Sequence, residues 1–127
     1  MYVGLNKDRI KEVGIGKTCL ISKRHAASLE KAIDIIVNSG APVEKIVMYG
    51  SCSRGSAKYN SDVDIAVILN DDSAEICRDT LKELRSAALG ITSPDVDIHY
   101  IGTKKYSENN DVYINVVKMD EIVVWKV

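Results

Sequence analysis

Two short apolar runs, Lys45–Tyr49 and Asp62–Leu69, flank the segment that most restricts how this chain can fold. The first run ends in Gly50-Ser51. Ten residues, Cys52 to Ser61, then lead into Asp62-Val63-Asp64 at the head of the second run. In an extended strand, side chains at i and i+2 share a face. Asp62 and Asp64 therefore stand side by side, while Val63, Ile65, Val67 and Leu69 mark the opposite face as core. A strand that must bury one face and carry two adjacent anions on the other belongs inside a sheet, with its acidic end at a cleft.

Two neighbouring carboxylates repel, and each is costly to desolvate unless positive charge lies between them. An oxygen-only donor set suits a hard cation, and Mg2+ is commonly held by one or two carboxylates together with substrate phosphates. The turn before them has complementary chemistry. Gly50 lets backbone approach a ligand closely. Ser51 reads as the N-cap of a short helix through Ser53–Ala57, an end that attracts phosphate. Arg54 lies one turn on, with donors that match phosphate oxygens. Taken singly, the halves have ordinary explanations: a solvated strand end, and a capped turn with a surface arginine. Set together on neighbouring elements, they describe a site for a metal–nucleoside triphosphate.

A two-metal phosphoryl-transfer site needs further ligands and a base for the attacking hydroxyl. Asp95-Val96-Asp97-Ile98-His99-Tyr100-Ile101 reads as a third strand, with Asp95, Asp97 and His99 on one face. Asp97, flanked by Val96 and Ile98 inside the strand, is the favoured third acid; Asp95 sits beside Pro94 at its entrance. His99 is read as a packed or surface strand residue.

Gly50, Ser51, Arg54, Gly55, Asp62 and Asp64 resemble the pattern of the nucleotidyltransferase superfamily that includes DNA polymerase beta. The chain is most similar to the stand-alone minimal nucleotidyltransferases, whose third acid, on the following strand, falls on Asp97. The likeness covers about residues 23–127. It implies a single-domain α/β polymerase beta-like fold, with a mixed sheet of three to five strands and flanking helices. It also implies catalytic and metal-binding roles for Asp62, Asp64 and Asp97, with two Mg2+ ions in the active complex, and nucleotide binding by Gly50, Ser51 and Arg54. Some members act as antitoxins that move AMP from ATP to a tyrosine of a helical HEPN-type ribonuclease toxin. Tyr49 stands where Phe is common, and Cys52 where a basic or aromatic residue is common. The C-terminal helical domain with which larger antibiotic-modifying relatives build their acceptor site finds no counterpart.

Elsewhere, Ala26, Leu29, Ile33, Ile36 and Val37 recur at helical spacing and Asn38-Ser39-Gly40 stops them, so a helix is expected over Lys23–Val37. Cys77, Leu81, Leu84 and Ala88 give a second helix. Lys104–Lys118 reads as helical in pieces, and Ile122–Trp125 as a last strand. Helices are expected mainly on one side of the sheet, with strand Asp62–Leu69 central. Residues 1–22 form a segment without assigned role. Within it, Gly14-Ile15-Gly16-Lys17-Thr18 resembles the end of a phosphate loop, but Lys11 stands where the first glycine is required. Trp125, Tyr100, Tyr106 and Tyr113 are read as core aromatics.

A chain of 127 residues with 46% apolar content and net charge −1 has an ordinary globular composition. The balanced charge argues against nucleic acid as the main partner, because backbone binding needs a basic excess. No apolar run is long enough for a membrane span, and the first residues lack the apolar core of a secretory signal. Cys19, Cys52 and Cys77 are odd in number and widely spaced, which supports neither a disulfide framework nor zinc and suits reduced thiols in a cytoplasm. Cys52 could be accessible in the turn. The leading reading is an enzyme that transfers AMP from Mg-ATP, or another nucleotide, to a hydroxyl of a partner protein. The alternatives are a non-catalytic antitoxin that binds by contact, and a small-molecule nucleotidyltransferase of the aminoglycoside type whose acceptor wall comes from a homodimer mate.

Overall fold

The apolar alternation after Asp62 becomes an inner strand of a four-stranded mixed sheet. The computed structural model describes residues 10–70, 82, 86, 94–108 and 111–127. In chain order these form β1 (Ile10–Val13), β2 (Cys19–Ser22), α1 (Lys23–Val37), β3 (Val43–Tyr49), α2 (Ser51–Arg54), β4 (Val63–Leu69), β5 (Val96–Gly102), α3 (Thr103–Glu108), α4 (Val112–Asp120) and β6 (Ile122–Lys126). The expected helix over Cys77–Ala88 lies outside the described residues. The sheet order is β5-β4-β3-β6. β3 pairs antiparallel with both β4 and β6, whereas β4 and β5 run parallel, with Asp64 opposite Asp97.

Helix α1 has the bounds its spacing predicts. Ser22 caps it, its Oγ accepting from the His25 amide at 3.0 Å, which satisfies one of the donors a helix start leaves free. Leu29, Ala32 and Ile36 on its inner face meet Val63, Ile65 and Val67 of β4. Leu29 and Ile36 are fully buried, and each such side chain contributes about 1.5–3 kcal/mol relative to exposure.

The other face of the sheet is not open, contrary to the expectation of helices mainly on one side. Ala66 and Ile68 of β4 are as buried as their neighbours and pack with Val47, Tyr106 of α3, and Ile114 and Val117 of α4. Apolar residues on both faces of a strand require cover on both, and α3 and α4 supply the second layer.

The β1–β2 hairpin packs Val13, Cys19 and Ile21 onto the α1 side of the core. Its turn is Gly14-Ile15-Gly16-Lys17-Thr18, the segment that imitates a phosphate loop. The Ile15 amide donates to Val123 O at 2.7 Å, tying the turn to β6. Gly14 has φ +121°, and a Cβ there would meet Lys17 O and Ile122 Cγ2. No helix among the described residues is long and apolar enough to cross a membrane.

Candidate active site

The chain leaves β3 at Tyr49 and turns under the carboxylate of Asp64 before α2 begins. Tyr49 and Asp64 are cross-strand partners, so the turn after Tyr49 necessarily meets the acidic end of β4. Gly50 adopts φ 77°, ψ −153°, a region essentially reserved for glycine. A Cβ on Gly50 would lie 2.5 Å from Asp64 Oδ2. This close approach corrects the expected cap. Ser51 is the first residue of α2 rather than its N-cap, Gly50 takes the cap position without a side-chain bond, and the helix ends at Arg54. Gly55, left-handed at φ 74°, donates to Cys52 O and closes the turn before Ala57.

Cys52 is buried, not accessible, and its Sγ lies 3.6 Å from Asp62 O. Burial, followed by the charges of Asp64, Cys19 and Asp62, pushes its thiol up to about 11. The residue therefore packs the turn against the entrance of β4 and offers no nucleophile.

Asp64 is half-buried, Asp62 and Asp97 exposed. The Asp64 carboxyl is held above its ordinary range, first by burial and then by Asp97 and Asp62, with His99 and Arg54 acting in the opposite sense. Asp97 Oδ2 lies 3.2 Å from His99 Nε2. Asp95 is exposed, and its carbonyl accepts from the Val63 amide at 2.9 Å. Arg54 Nη1 meets Asp120 Oδ2, at the end of α4, at 2.6 Å, so its guanidinium is held from a distant part of the chain.

Two tyrosines border the carboxylates, and one of them, Tyr113, departs from the core position expected of it. The residue is instead 38% exposed. Its hydroxyl is 2.6 Å from that of Tyr49, with the rings edge-on at 6.0 Å, and it lies against the His99 ring at 5.4 Å. Burial raises both hydroxyls above the ordinary phenol range; the Asp64 and Asp97 charges add to it, and for Tyr49 so does the bond to Tyr113. The available signal was the second apolar stripe of α4. Ile114 and Val117 face inward while Val112, Tyr113, Val116 and Met119 face out.

The donor set fits a hard cation. The Asp64 carboxyl is raised first by burial and then by Asp97 and Asp62, which a bound cation would offset, and oxygen donors suit Mg2+. Among the described residues, no group of three His, Cys, Asp or Glu side chains is placed to hold a metal ion, so Asp62, Asp64 and Asp97 do not converge on one cation site as expected. Mg2+ is commonly held by only one or two carboxylates, with substrate phosphates and water as its other ligands. A cavity of about 700 Å³ opens beside Val43, Lys45, Ile68 and Asn70. Because Val43 pairs with Leu69, this cavity is at the opposite end of the strands from Asp64.

A family model for the nucleotidyltransferase domain matches residues 29–123. No curated protein sequence matches significantly. Among solved structures, a toxin-antitoxin with AMP-PNP aligns at TM-score 0.57 and 22% identity, covering 77% of this chain and 73% of that one. A toxin-antitoxin MntA-HpeT mutant aligns at TM-score 0.54 and 19% identity, covering 77% and 72%. A tri-AMPylated Shewanella oneidensis HEPN toxin in complex with MNT antitoxin gives TM-score 0.52 at 18% identity, covering 81% and 73%. At these identities the likeness is one of fold.

Proposed function

The chain belongs to the nucleotidyltransferase domain family, and on that premise we propose that it moves AMP from ATP to a hydroxyl of a partner protein, as the antitoxin of a HEPN-type toxin. The observation that carries the reading is the contact of Gly50 with Asp64. It brings an anion-binding turn against a carboxylate already raised by Asp97 and Asp62. The toxin-antitoxin complexes that share the fold support a protein acceptor.

Asp62, Asp64 and Asp97 would hold Mg2+, two ions in the working complex. When bound, such ions neutralise triphosphate charge and make a hydroxyl easier to deprotonate. The first amides of α2, which have no partner inside a helix, would donate to the phosphates beside Gly50. Arg54, steadied by Asp120, lends its remaining donors to phosphate oxygens. Asp97 takes the proton of the acceptor hydroxyl. The acceptor oxygen then bonds to the α-phosphorus as the bond to the β-phosphate oxygen breaks, and pyrophosphate leaves. The Tyr49–Tyr113 pair walls this side of the cleft, and positioning by such a wall is a large part of in-line transfer. The reaction belongs in the cytoplasm, where Cys19 and Cys52 stay free thiols.

The test is incubation of the chain with each labelled nucleoside triphosphate and Mg2+, with and without the product of the neighbouring gene. A mass increase of AMP on that partner is expected. A partner whose mass never changes while its toxicity is still neutralised would support a contact antitoxin instead. Label on an aminoglycoside alone would support a small-molecule enzyme.

A further inference from the structure

His25 and Ser28 are buried polar side chains in the core-facing stripe of α1, among Ala26, Leu29, Ala32 and Ile36. A buried polar group is costly unless hydrogen-bonded, and both of these are bonded to backbone carbonyls of distant segments. His25 Nε2 is 2.9 Å from Ser61 O. A carbonyl only accepts, so Nε2 carries the proton and Nδ1 accepts from the Ser22 hydroxyl at 2.5 Å. Ser28 Oγ donates to Pro94 O at 2.9 Å.

The two carbonyls have a common placement. Ser61 immediately precedes Asp62. Pro94 immediately precedes Asp95, whose own carbonyl takes the Val63 amide at 2.9 Å, and two residues on comes Asp97, opposite Asp64. His25 and Ser28 lie three residues apart, hence adjacent on the helix surface. One rigid turn of α1 therefore grips both strand entrances that carry the acidic side chains. Arg24 adds an exposed third hold, donating to Tyr59 O at 3.1 Å and stacking on the Tyr59 ring.

We propose that His25 and Ser28 are positioning residues: by holding the carbonyls of Ser61 and Pro94 they fix the separation of Asp62 and Asp64 from Asp97. The geometric claim stands on these bonds; its consequence for cation binding rests on the nucleotidyl-transfer reading above.

The test measures Mn2+ affinity by electron paramagnetic resonance, amide exchange at Val63, and thermal unfolding. The full chain is compared with Ser28→Ala, His25→Leu and His25→Gln. Partners that orient metal ligands typically alter affinity 10–100-fold. Ser28→Ala and His25→Leu should therefore weaken Mn2+ binding about tenfold and speed Val63 exchange. His25→Gln, which keeps a donor near the Nε2 position, should recover both. Parent-like Mn2+ affinity and Val63 protection in folded Ser28→Ala would overturn the proposal, even with a lowered melting temperature. If His25→Leu does not fold, Ser28→Ala and His25→Gln decide. If the parent chain binds no Mn2+, the nucleotidyl-transfer reading fails and Val63 exchange judges the clamp alone: faster exchange in Ser28→Ala upholds it, unchanged exchange refutes it.

Discussion

Replacing Gly50 by Ala adds one methyl group at the point where the turn touches the acidic strand, and two separate penalties follow. The backbone at φ 77°, ψ −153° lies in a region that costs a non-glycine residue about 1–3 kcal/mol. The new Cβ would also stand 2.5 Å from Asp64 Oδ2, so the carboxylate must leave its rotamer, at about 1 kcal/mol. The sum of about 2–4 kcal/mol should lower the melting temperature by roughly 6–20 °C for a domain of this size. Displacing a reacting group by about 1 Å can cost about a hundredfold in rate, so AMP transfer should fall by at least tenfold even well below the melting point. Gly55→Ala is the control. Gly55 also has positive φ, but its Cβ would meet nothing within 4 Å, so only about 1–2 kcal/mol of backbone strain is expected and transfer should persist. Unfolding followed by circular dichroism, with transfer measured on the same samples, reads both effects. A cycle with Asp64→Ala separates them, since removing the carboxylate should relieve about 1 kcal/mol of the Gly50→Ala penalty. Equal melting points and activities for the two alanine variants, or an undiminished Gly50→Ala penalty in the Asp64→Ala background, would refute the close-approach argument.

The raised Asp64 carboxyl predicts a pH dependence. The folded state holds its proton more tightly than the unfolded chain, so this group's stabilisation is complete below the ordinary value of 3.8 and is lost as pH rises through the higher folded value. Asp64→Asn should flatten that part of the stability profile, melt no lower than the parent at pH 7, and abolish transfer; an unchanged slope of melting temperature against pH would count against it. Cys52, buried and pushed up to about 11, should resist iodoacetamide at pH 8 in the folded protein and react once denatured, as read by peptide mass mapping. Arg54→Ala should cost under about 1 kcal/mol of stability, because its pair with Asp120 is half-exposed on the arginine side. The same change should raise KM for ATP about tenfold or more if Arg54 bonds a phosphate oxygen.

The parts of the fold legible in the sequence were those decided by neighbours along the chain. α1 follows from an apolar stripe with a polar stop, and its bounds agree with the spacing. The start of β3 and the ends of β5 and β6 lie one or two residues beyond the expected runs because pairing continues past the alternating core, whereas β4 and β5 begin one residue later, at Val63 and Val96. Val43 pairs with Leu69, and beyond them the Asn70 amide reaches Pro42 O at 2.8 Å. The helices within Lys104–Lys118 agree with the sequence, but their place on the second face of the sheet does not follow from alternation on one face. The run Val63-Asp64-Ile65-Ala66-Val67-Ile68-Leu69 is nearly continuous in apolar residues, and such continuity marks a strand covered on both sides.

The site divides in the same way. The need for a glycine at the turn follows from backbone geometry over a few residues, whereas Asp62 precedes β4, which begins at Val63, so the strand argument for its sharing a face with Asp64 does not reach it. The Tyr49–Tyr113 bond spans 64 residues and the Arg54–Asp120 pair spans 66, and periodicity along one element says nothing about what another brings to it. His25 and Ser28 join segments 36 and 66 residues away, yet they did leave a trace. Both fall on the inward stripe of a helix whose other inward residues are apolar. A polar side chain at such a position must have a partner, and a partner for a helix residue is usually the backbone of a packed segment. A polar residue on a core stripe thus signals that the helix is holding a loop, and here both held loops lead into strands that carry the acids.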